Sequence, residues 1–349
     1  YSVYNGSGSS VRITGLTPGT TYHVAVFEYN GPEGHEDYLA DNPATGYRQT
    51  AAAGIYRSAA TGNWNAPGTW EFYDGSAWAA AVATPSSLDD EVAVLTGHTV
   101  SVTEDAVIDQ LSVATGGQIS VAPGITLNVD NGPDEYDITV NGALVNSGTI
   151  TGNGAISVNG SLTNGGVLTV SGPVSVNDGG RYIHSTSGTT LPPVIWQTGS
   201  TCEITGWTNA TALTPSFDQD FYNFTWNCPN QSVNVSFAGY VAAVSGTFNL
   251  NNTGAGIIYP GGDPTYANFS ATGGTYNMTY DAVARTVRIT NDFSLVGGSF
   301  VQSSAAVGTL TVGRNFLVGG SGYYSLDFSA AGSLYVMGDF SVLGGTFRM

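Results

Sequence analysis

A spaced motif that recurs four times in the last third of the chain constrains the fold more than any other feature. Each copy reads Asn or Asp, then Phe, a short apolar run and Gly-Gly, and three copies continue to an aromatic residue two positions later. The leading residues are Phe269, Phe293, Phe316 and Phe340, so the motif recurs at steps of twenty-four, twenty-three and twenty-four positions. A fixed period of this size indicates a repeat architecture with one supersecondary unit per period.

The rest of the chain after residue 100 reads as short strands joined by turns. Alternating segments such as Gln118–Val121, Ile125–Val129 and Val167–Val170 are separated by Gly-rich turns at intervals too short for helices. A meander of hairpins would also fit such spacing, but the nearly constant period of the motif favours parallel stacking of equivalent residues. The prediction is an all-β, right-handed parallel β-helix, or β-solenoid, with one motif period per coil. About eleven coils at roughly 4.8 Å each would form a rod of about 50 Å.

The residue before each repeated Phe alternates between Asn and Asp. The four positions are Asn268, Asp292, Asn315 and Asp339. Both residue types tolerate left-handed backbone and form local hydrogen bonds at turns. An Asp in every coil would place like charges about 4.8 Å apart, so alternation with Asn avoids repulsion. These positions therefore have a structural explanation that needs no ligand, and the Phe side chains are expected to stack in a column.

Charge excludes several classes of partner. The chain of 349 residues has 26 acidic residues and 8 basic ones, all of them Arg, for a net charge of −18. Such a chain lacks the basic surface that nucleic-acid binding requires and is repelled by anionic membranes. It contains no apolar stretch long enough to span a bilayer, so no membrane insertion is expected. The chain opens at Tyr1 within a strand pattern and stops at Met349 within a repeat, which predicts one stretch of a longer protein.

Pattern changes along the chain divide it into three segments. Residues 1–51 alternate as strands around turns, residues 52–99 are rich in Trp, and residues 100–349 carry the predicted solenoid. Residues 186–236 interrupt the repeat with Pro and many aromatic residues, so a loop excursion is predicted there. Three Trp residues within fifteen positions, Trp64, Trp70 and Trp78, are too many for a loop. They predict a cap over the open end of the solenoid, because terminal repeats need a distinct cover.

Two of these segments resemble known modules. The run Gly15–Tyr22 resembles the end of a fibronectin type III domain, with Tyr22 at the tyrosine-corner position of that family. The resemblance covers only the last half of such a domain, so this piece is not expected to close its own β-sandwich. The Trp-rich stretch followed by Asp89–Val100 is similar to the start of a G8-type domain.

The combination of a fibronectin-like tail, a Trp-rich cap and Phe–Gly-Gly coils resembles large surface proteins of the Bacteroidetes. Those proteins are exported by the type IX secretion system and act as adhesins or gliding-motility filaments. The resemblance implies an extracellular location at the cell surface. It also implies partners among other modules of the same chain, surface glycans or the secretion and outer-membrane machinery.

The two cysteines, Cys202 and Cys228, are separated by about one motif period. Neighbouring strands of a sheet lie close enough for a disulfide. A disulfide between adjacent coils is predicted, which would indicate an oxidising, extracytoplasmic compartment. Two buried free thiols are the alternative.

Residues suited to catalysis or metal binding are sparse. None of the four His residues has a second His or a Cys at metal-ligand spacing. The acidic run Asp130, Asp134, Glu135 and Asp137 loosely resembles a calcium loop but lacks the Asp-x-Asp-x-Asp-Gly spacing, so solvated turns are the favoured interpretation and calcium the alternative. No other cofactor is expected. The outward positions of the repeats are mainly Ser, Thr, Gly and Tyr, which are poor catalytic groups.

A structural or adhesive extracellular segment without catalysis, a stiff stalk or filament, is therefore the predicted function. A carbohydrate-active β-helix enzyme, such as a polysaccharide lyase or glycosidase, is one alternative, because such enzymes use carboxylates on an outer face. A glycan-binding module is another. Its candidate contacts are the aromatic residues Trp207, Tyr222 and Trp226, although an aromatic cluster packed under a loop explains the same residues.

Overall fold

The predicted fold class is confirmed by a computed structural model. It describes residues 20–31, 35–39, 41–49, 54–132, 134–326 and 331–349. The protein is nearly all β, with 50% strand and 2% helix, and stacked parallel sheets form a β-solenoid of about 11 turns with coils of roughly 23 residues.

The N-terminal segment forms two small antiparallel pairs. Its strands are β1 (Thr21–Val26), β2 (Tyr29–Asn30), β3 (Asp37–Tyr38) and β4 (Ala44–Gln49). Strand β1 pairs with β4, and β2 pairs with β3. Val26 is 63% exposed and Tyr47 is 76% exposed, so this piece leaves apolar surface uncovered. Most of the fibronectin-like run, Gly15–Gly19, lies outside the described residues.

The Trp-rich segment lies at one end of the solenoid. Its elements are β5 (Ile55–Ser58), β6 (Gly62–Asn63), a 3-10 helix (Pro67–Thr69), β7 (Trp70–Tyr73), β8 (Trp78–Ala80) and β9 (Glu91–Val94). Strand β5 pairs parallel with β9 and antiparallel with β7, which pairs antiparallel with β8. Trp64 and Trp70 are buried, with ring centroids 5.0 Å apart, and Trp70 Nε1 donates to the Trp64 carbonyl oxygen at 2.8 Å. The Trp64 N–H donates to Ser101 in the first coil, which fixes this segment onto the solenoid.

Three parallel sheets build the first half of the solenoid. The strands are β10 (Thr99–Val102), β11 (Ala106–Ile108), β12 (Leu111–Val113), β13 (Gln118–Val121), β14 (Thr126–Val129), β15 (Ile138–Val140), β16 (Ala143–Asn146), β17 (Thr149–Gly152), β18 (Ile156–Val158), β19 (Ser161–Asn164), β20 (Val167–Val170), β21 (Val174–Val176), β22 (Arg181–His184) and β23 (Ile195–Trp196). The first sheet contains β6, β10, β13, β16, β19 and β22; the second contains β9, β12, β15, β18, β21 and β23; the third contains β11, β14, β17 and β20. Alternate side chains point inward, as the period of two requires.

The second half continues the first sheet, and three of its strands are nine residues long or longer. The strands are β24 (Thr201–Ile204), β25 (Asn223–Asn227), β26 (Val235–Ser236), β27 (Ala243–Asn252), β28 (Ile258–Tyr259), β29 (Thr265–Asn277), β30 (Arg285–Ile289), β31 (Phe293–Val301), β32 (Gly308–Val312), β33 (Phe316–Gly319), β34 (Tyr323–Ser325), β35 (Ser333–Val336), β36 (Phe340–Leu343) and β37 (Thr346–Arg348). A second 3-10 helix covers Pro215–Phe217. Strands β22, β24, β25 and β27 pair parallel in succession, so the first sheet continues through residues 186–236. The loop excursion suggested for this segment stays a prediction.

One inward column of the first sheet runs the length of the solenoid. In register order its members are Val100, Ile119, Leu144, Leu162, Tyr182, Cys202, Phe224, Phe248, Phe269, Phe293, Phe316 and Phe340. The column is aliphatic at first and aromatic from Phe224 onward. The length of a coil varies along this column. Ile119 is followed by Leu144 after twenty-five positions, whereas Leu144 is followed by Leu162 after eighteen.

The predicted Phe column is present, and its rings stack nearly parallel to one another. Centroid distances are 5.1 Å from Phe269 to Phe293, 4.7 Å from Phe293 to Phe316 and 5.1 Å from Phe316 to Phe340. The interplanar angles are 8°, 5° and 2°. Aromatic contacts of this kind add roughly 0.5–1.5 kcal/mol per pair beyond area burial, so the ladder fixes the register of successive coils.

A second aromatic ladder stands at right angles to the first. Tyr276, Phe300, Tyr324 and Phe347 stack with centroid distances of 5.2, 5.6 and 5.0 Å. Within the coil that contains Phe293 and Phe300, the two rings meet edge to face at 5.1 Å and 86°. Each coil of this region therefore carries one ring of each ladder, and the two ladders pack against each other through edge-to-face contacts.

The Gly-Gly pairs turn the chain between the two ladders. The φ angles of Gly274, Gly298, Gly320 and Gly344 lie between 55° and 87°, a region that favours Gly. At Gly298, a Cβ atom would lie 2.4 Å from the Gly274 carbonyl oxygen in the coil before it. The repeat therefore needs Gly there both for the turn and for the close approach of the coils.

The Asn/Asp positions link each coil to the next through side-chain oxygens. Asn268 Oδ1 accepts the Asp292 N–H at 3.4 Å, Asp292 Oδ1 accepts the Asn315 N–H at 3.1 Å, and Asn315 Oδ1 accepts the Asp339 N–H at 3.2 Å. Asn315 Nδ2 also donates to Asp292 Oδ1 at 3.0 Å. An amide next to a carboxylate thus makes a hydrogen bond where two carboxylates would repel, which supports the explanation given for the alternation.

Asparagine ladders perform a similar task in the first half. Inside the solenoid, Asn146 Nδ2 donates to Asn164 Oδ1 at 2.8 Å, and Asn164 Nδ2 donates to the Tyr182 hydroxyl at 3.0 Å. On the outside, Asn159 donates to Asn141 and Asn177 donates to Asn159, both at 2.8 Å. Because a buried amide is costly unless it is hydrogen-bonded, the inner ladder favours the stacking register in which these side chains meet.

Candidate functional site

Two of the three residues predicted to contact glycans lie in the core. Trp207 and Trp226 have no exposed surface, and their ring centroids are 5.9 Å apart. Trp207 Nε1 donates to the Ala210 carbonyl oxygen at 2.8 Å, and Trp226 Nε1 donates to Gln231 Oε1 at 2.8 Å. Tyr222 is half-buried. The glycan-contact prediction is therefore wrong for both Trp residues, because the coils close over these large side chains and make them core.

The same aromatic cluster encloses His184. This residue is 1% exposed, and its ring lies 5.7 Å from Phe217 and 6.4 Å from Trp207. Its Nε2 atom lies 3.0 Å from the Thr189 hydroxyl, whereas its buried Nδ1 atom has no partner among the described residues. Burial lowers the pKa of His184 to about 4, because the charged imidazolium is poorly solvated there.

The two cysteines are free, buried thiols, so the predicted disulfide is wrong. The register explains why: Cys202 pairs with Phe224, four residues before Cys228. Four residues of extended chain span roughly 13 Å, beyond the roughly 4.4–6.8 Å between the Cα atoms of a disulfide. Cys228 instead donates from Sγ to the Ile204 carbonyl oxygen at 3.3 Å. The coil thus contains fewer residues here than separate the two cysteines in the sequence. Without the disulfide, the cysteines do not indicate an oxidising compartment.

We expect a thiol count to separate these alternatives. Burial raises the pKa of Cys228 to about 12 and raises that of Cys202 well above its ordinary value, so neither thiol should react in the native protein. A thiol reagent added to unreduced protein should label no cysteine in buffer and two in denaturant. Labelling of neither cysteine in denaturant would contradict the free-thiol assignment.

The acidic run suggested for calcium is used within the fold. Asp137 is buried, and its carboxylate accepts the N–H groups of Gly132 at 2.7 Å and Ala155 at 2.6 Å. Asp130 accepts a hydrogen bond from Asn128 Nδ2 at 2.6 Å. In the part of the chain that the structure describes, no group of three or more His, Cys, Asp or Glu residues is placed to hold a metal ion.

One carboxyl of this region should make stability depend on pH. Burial, a hydrogen bond to Asp137 and nearby carboxylates raise the pKa of Asp109 to about 6 from 3.8. A raised carboxyl pKa stabilises the fold below pH 3.8, and this contribution is lost as the pH rises through 6. Asp109→Asn should therefore raise the melting temperature more at pH 7.5 than at pH 5, while Asp178→Asn, on the exposed surface, serves as the control. An equal effect at both pH values would contradict this.

A surface groove lies where the sheets of the first half end. The third sheet stops at β20 and the second at β23. Beside β23, a groove of about 570 Å³ is lined by Trp196, Ile195, Pro215, Asp218 and Asp220 among others. A neighbouring depression of about 460 Å³ extends along β20 and shares residues of the segment 191–195 with it.

Trp196 forms the aromatic wall of this groove. It is half-buried, with its ring tilted against the core residue Phe221 at 5.3 Å. Its Nε1 atom donates to Gln219 Oε1 at 2.9 Å. Gln219 Nε2 in turn donates to the carbonyl oxygens of Pro192 at 3.0 Å and Ser216 at 2.8 Å, so one side chain ties both walls together.

The groove has no counterpart among the sites predicted from the sequence. Trp196 lies within the aromatic segment 186–236, and nothing in the local pattern distinguishes it from Trp207. The distinction depends on where the second sheet ends, which the sequence does not reveal without the register.

No helix among the described residues is long and apolar enough to cross a membrane. Comparison of the chain with protein families, with characterised proteins and with solved structures finds no match.

Proposed function

We propose that this chain is a stiff structural segment of an extracellular surface protein, a stalk that holds other modules away from the cell. The observation that carries the proposal is the unbroken inward column from Val100 to Phe340. Successive coils are joined by stacked rings and by Asn or Asp hydrogen bonds rather than by chain connectivity alone. A rod of about 50 Å whose coils each bind the next resists bending.

Composition and resemblance support the extracellular part of the proposal. The acidic, Lys-free chain has little affinity for nucleic acid or anionic lipid, and its cap and coils resemble Bacteroidetes surface proteins. Antibodies raised against the folded solenoid should label intact source cells without permeabilisation. Labelling that appears only after permeabilisation would overturn the surface location.

An enzyme is the main competing class, and the groove supplies the residues to test it. The purified chain should release no reducing ends or unsaturated products from a panel of neutral and acidic polysaccharides. Turnover that disappears in Asp218→Asn or Asp220→Asn would establish a carbohydrate-active enzyme and overturn the purely structural proposal. These substitutions are suitable because both side chains are exposed, so the fold should survive them.

A further inference from the structure

We propose that the groove between residues 191–196 and 215–220 binds a neutral oligosaccharide. The proposal goes beyond a structural role, since a stalk needs no ligand. It rests on three properties of the groove. These are a partly exposed Trp ring, two carboxylates at the rim, and the Gln219 side chain, which forms hydrogen bonds to both walls.

The Trp ring supplies the apolar surface that sugar rings use. Trp196 is supported from the core side by Phe221 and, edge-on at 6.1 Å, by Tyr182. The remaining surface of its ring lines the groove beside Ile195, which is 49% exposed. A pyranose presents a flat patch of C–H groups that can lie on the negative face of an aromatic ring. Trp207 and Trp226 cannot do this because they are wholly buried.

The rim supplies acceptors for hydroxyl groups. Asp218 and Asp220 are exposed, and neither carboxylate has a hydrogen-bond or ion-pair partner within the described residues. Carboxylates accept strong hydrogen bonds from hydroxyl donors. They also repel uronic acids and sulfated sugars, as does the net charge of −18. The chemistry therefore favours neutral saccharides over anionic ones.

The walls are held in place before any ligand arrives. Gln219 uses its amide to bind the carbonyl oxygens of Pro192 and Ser216 and to accept from Trp196 and from the Val194 N–H at 3.2 Å. The Pro192-Pro193 pair and Pro215 further restrict the backbone on both sides. A preorganised groove loses little entropy on binding, which suits weak, repeated contacts with a polysaccharide.

Titration calorimetry with defined oligosaccharides tests the proposal. The probes are cellohexaose, xylohexaose, mannohexaose and laminarihexaose, with hexagalacturonate as the anionic comparison. We expect at least one neutral probe to bind at millimolar concentration or below, and hexagalacturonate to bind at least tenfold more weakly. Trp196→Ala should weaken neutral binding about tenfold, and Asp218→Asn or Asp220→Asn about fivefold.

Matched variants keep the outcome interpretable. Trp196→Phe retains an aromatic contact with Phe221 and should bind with intermediate affinity, and circular dichroism checks that each variant is folded. Trp78→Ala removes the half-buried Trp of the cap, far along the chain from the groove, and should bind as the parent does. Absence of binding by every neutral probe, equal binding of hexagalacturonate, or affinity unchanged in Trp196→Ala would each overturn the proposal. None of these results would bear on the stalk.

Discussion

Replacing Phe293 by Ala should lower the free energy of unfolding of the solenoid by about 3–5 kcal/mol. Phe293 is 1% exposed and lies where the two ladders cross. It stacks on Phe269 and Phe316 at 5.1 and 4.7 Å and meets Phe300 edge-on at 5.1 Å. The substitution removes the ring from all of these contacts and leaves a cavity between rigid neighbours. Urea denaturation followed by circular dichroism measures the loss.

Val296→Ala is the control, because Val296 lies on the same strand, β31, but is 39% exposed. It should cost less than half as much. Since each coil of a solenoid contacts only its neighbours, Phe293→Ala should also let the coils after it unfold at lower urea than the first half does. A loss at Phe293 no larger than the loss at the control position would contradict the prediction that the buried ladder stabilises this part of the solenoid.

Acid should destabilise the protein through His184. Burial lowers the pKa of this imidazole from 6.5 to about 4 in the folded chain. A depressed pKa contributes stability that is complete above pH 6.5 and is lost as the pH falls towards 4. The lost contribution amounts to about 3 kcal/mol, at about 1.4 kcal/mol per pKa unit. Unfolding free energies measured by urea denaturation between pH 7.5 and 4 should show this loss.

His184→Phe should remove this part of the pH dependence, because an apolar ring in the same aromatic cluster cannot gain a proton. The difference between parent and variant isolates His184 from the opposing contribution of Asp109, which gains stability as the pH falls. His98→Gln, in a partly exposed turn at the cap, provides the control variant. Parallel pH profiles for the parent and His184→Phe would contradict the assignment.

The period of the motif was sufficient to predict the fold and the Phe column from Phe269 to Phe340. A nearly constant step between like residues specifies both the parallel stacking and the register. The same reasoning failed for Cys202 and Cys228, because coil length varies widely where no motif marks the step, as the pairing of Leu144 with Ile119 and with Leu162 shows. In such a region, a sequence separation close to the motif period does not tell which residues of neighbouring coils lie opposite each other.

The candidate site was beyond prediction for a related reason. Trp196, Trp207 and Trp226 look alike in a sequence rich in aromatic residues, and only the cross-section of the coil decides which ring faces outward. The inner ladder from Asn146 to Asn164 was not predicted because its step is shorter than the period that the Phe residues establish. Buried amides are recognisable only once the register shows that they meet.

The similarity of the last coils to one another has a consequence for how such a molecule can change in evolution. Each of these units offers the next two stacked rings, a Gly-Gly turn and an amide or a carboxylate. Tandem duplication of a unit pair in the gene would add coils without creating a mismatched contact, and deletion of a pair would remove them as cleanly. Selection can thus adjust the length of the solenoid in increments of about 10 Å, which is the height of two coils. The increment is a pair of units and not a single unit, because Asn and Asp alternate from one unit to the next.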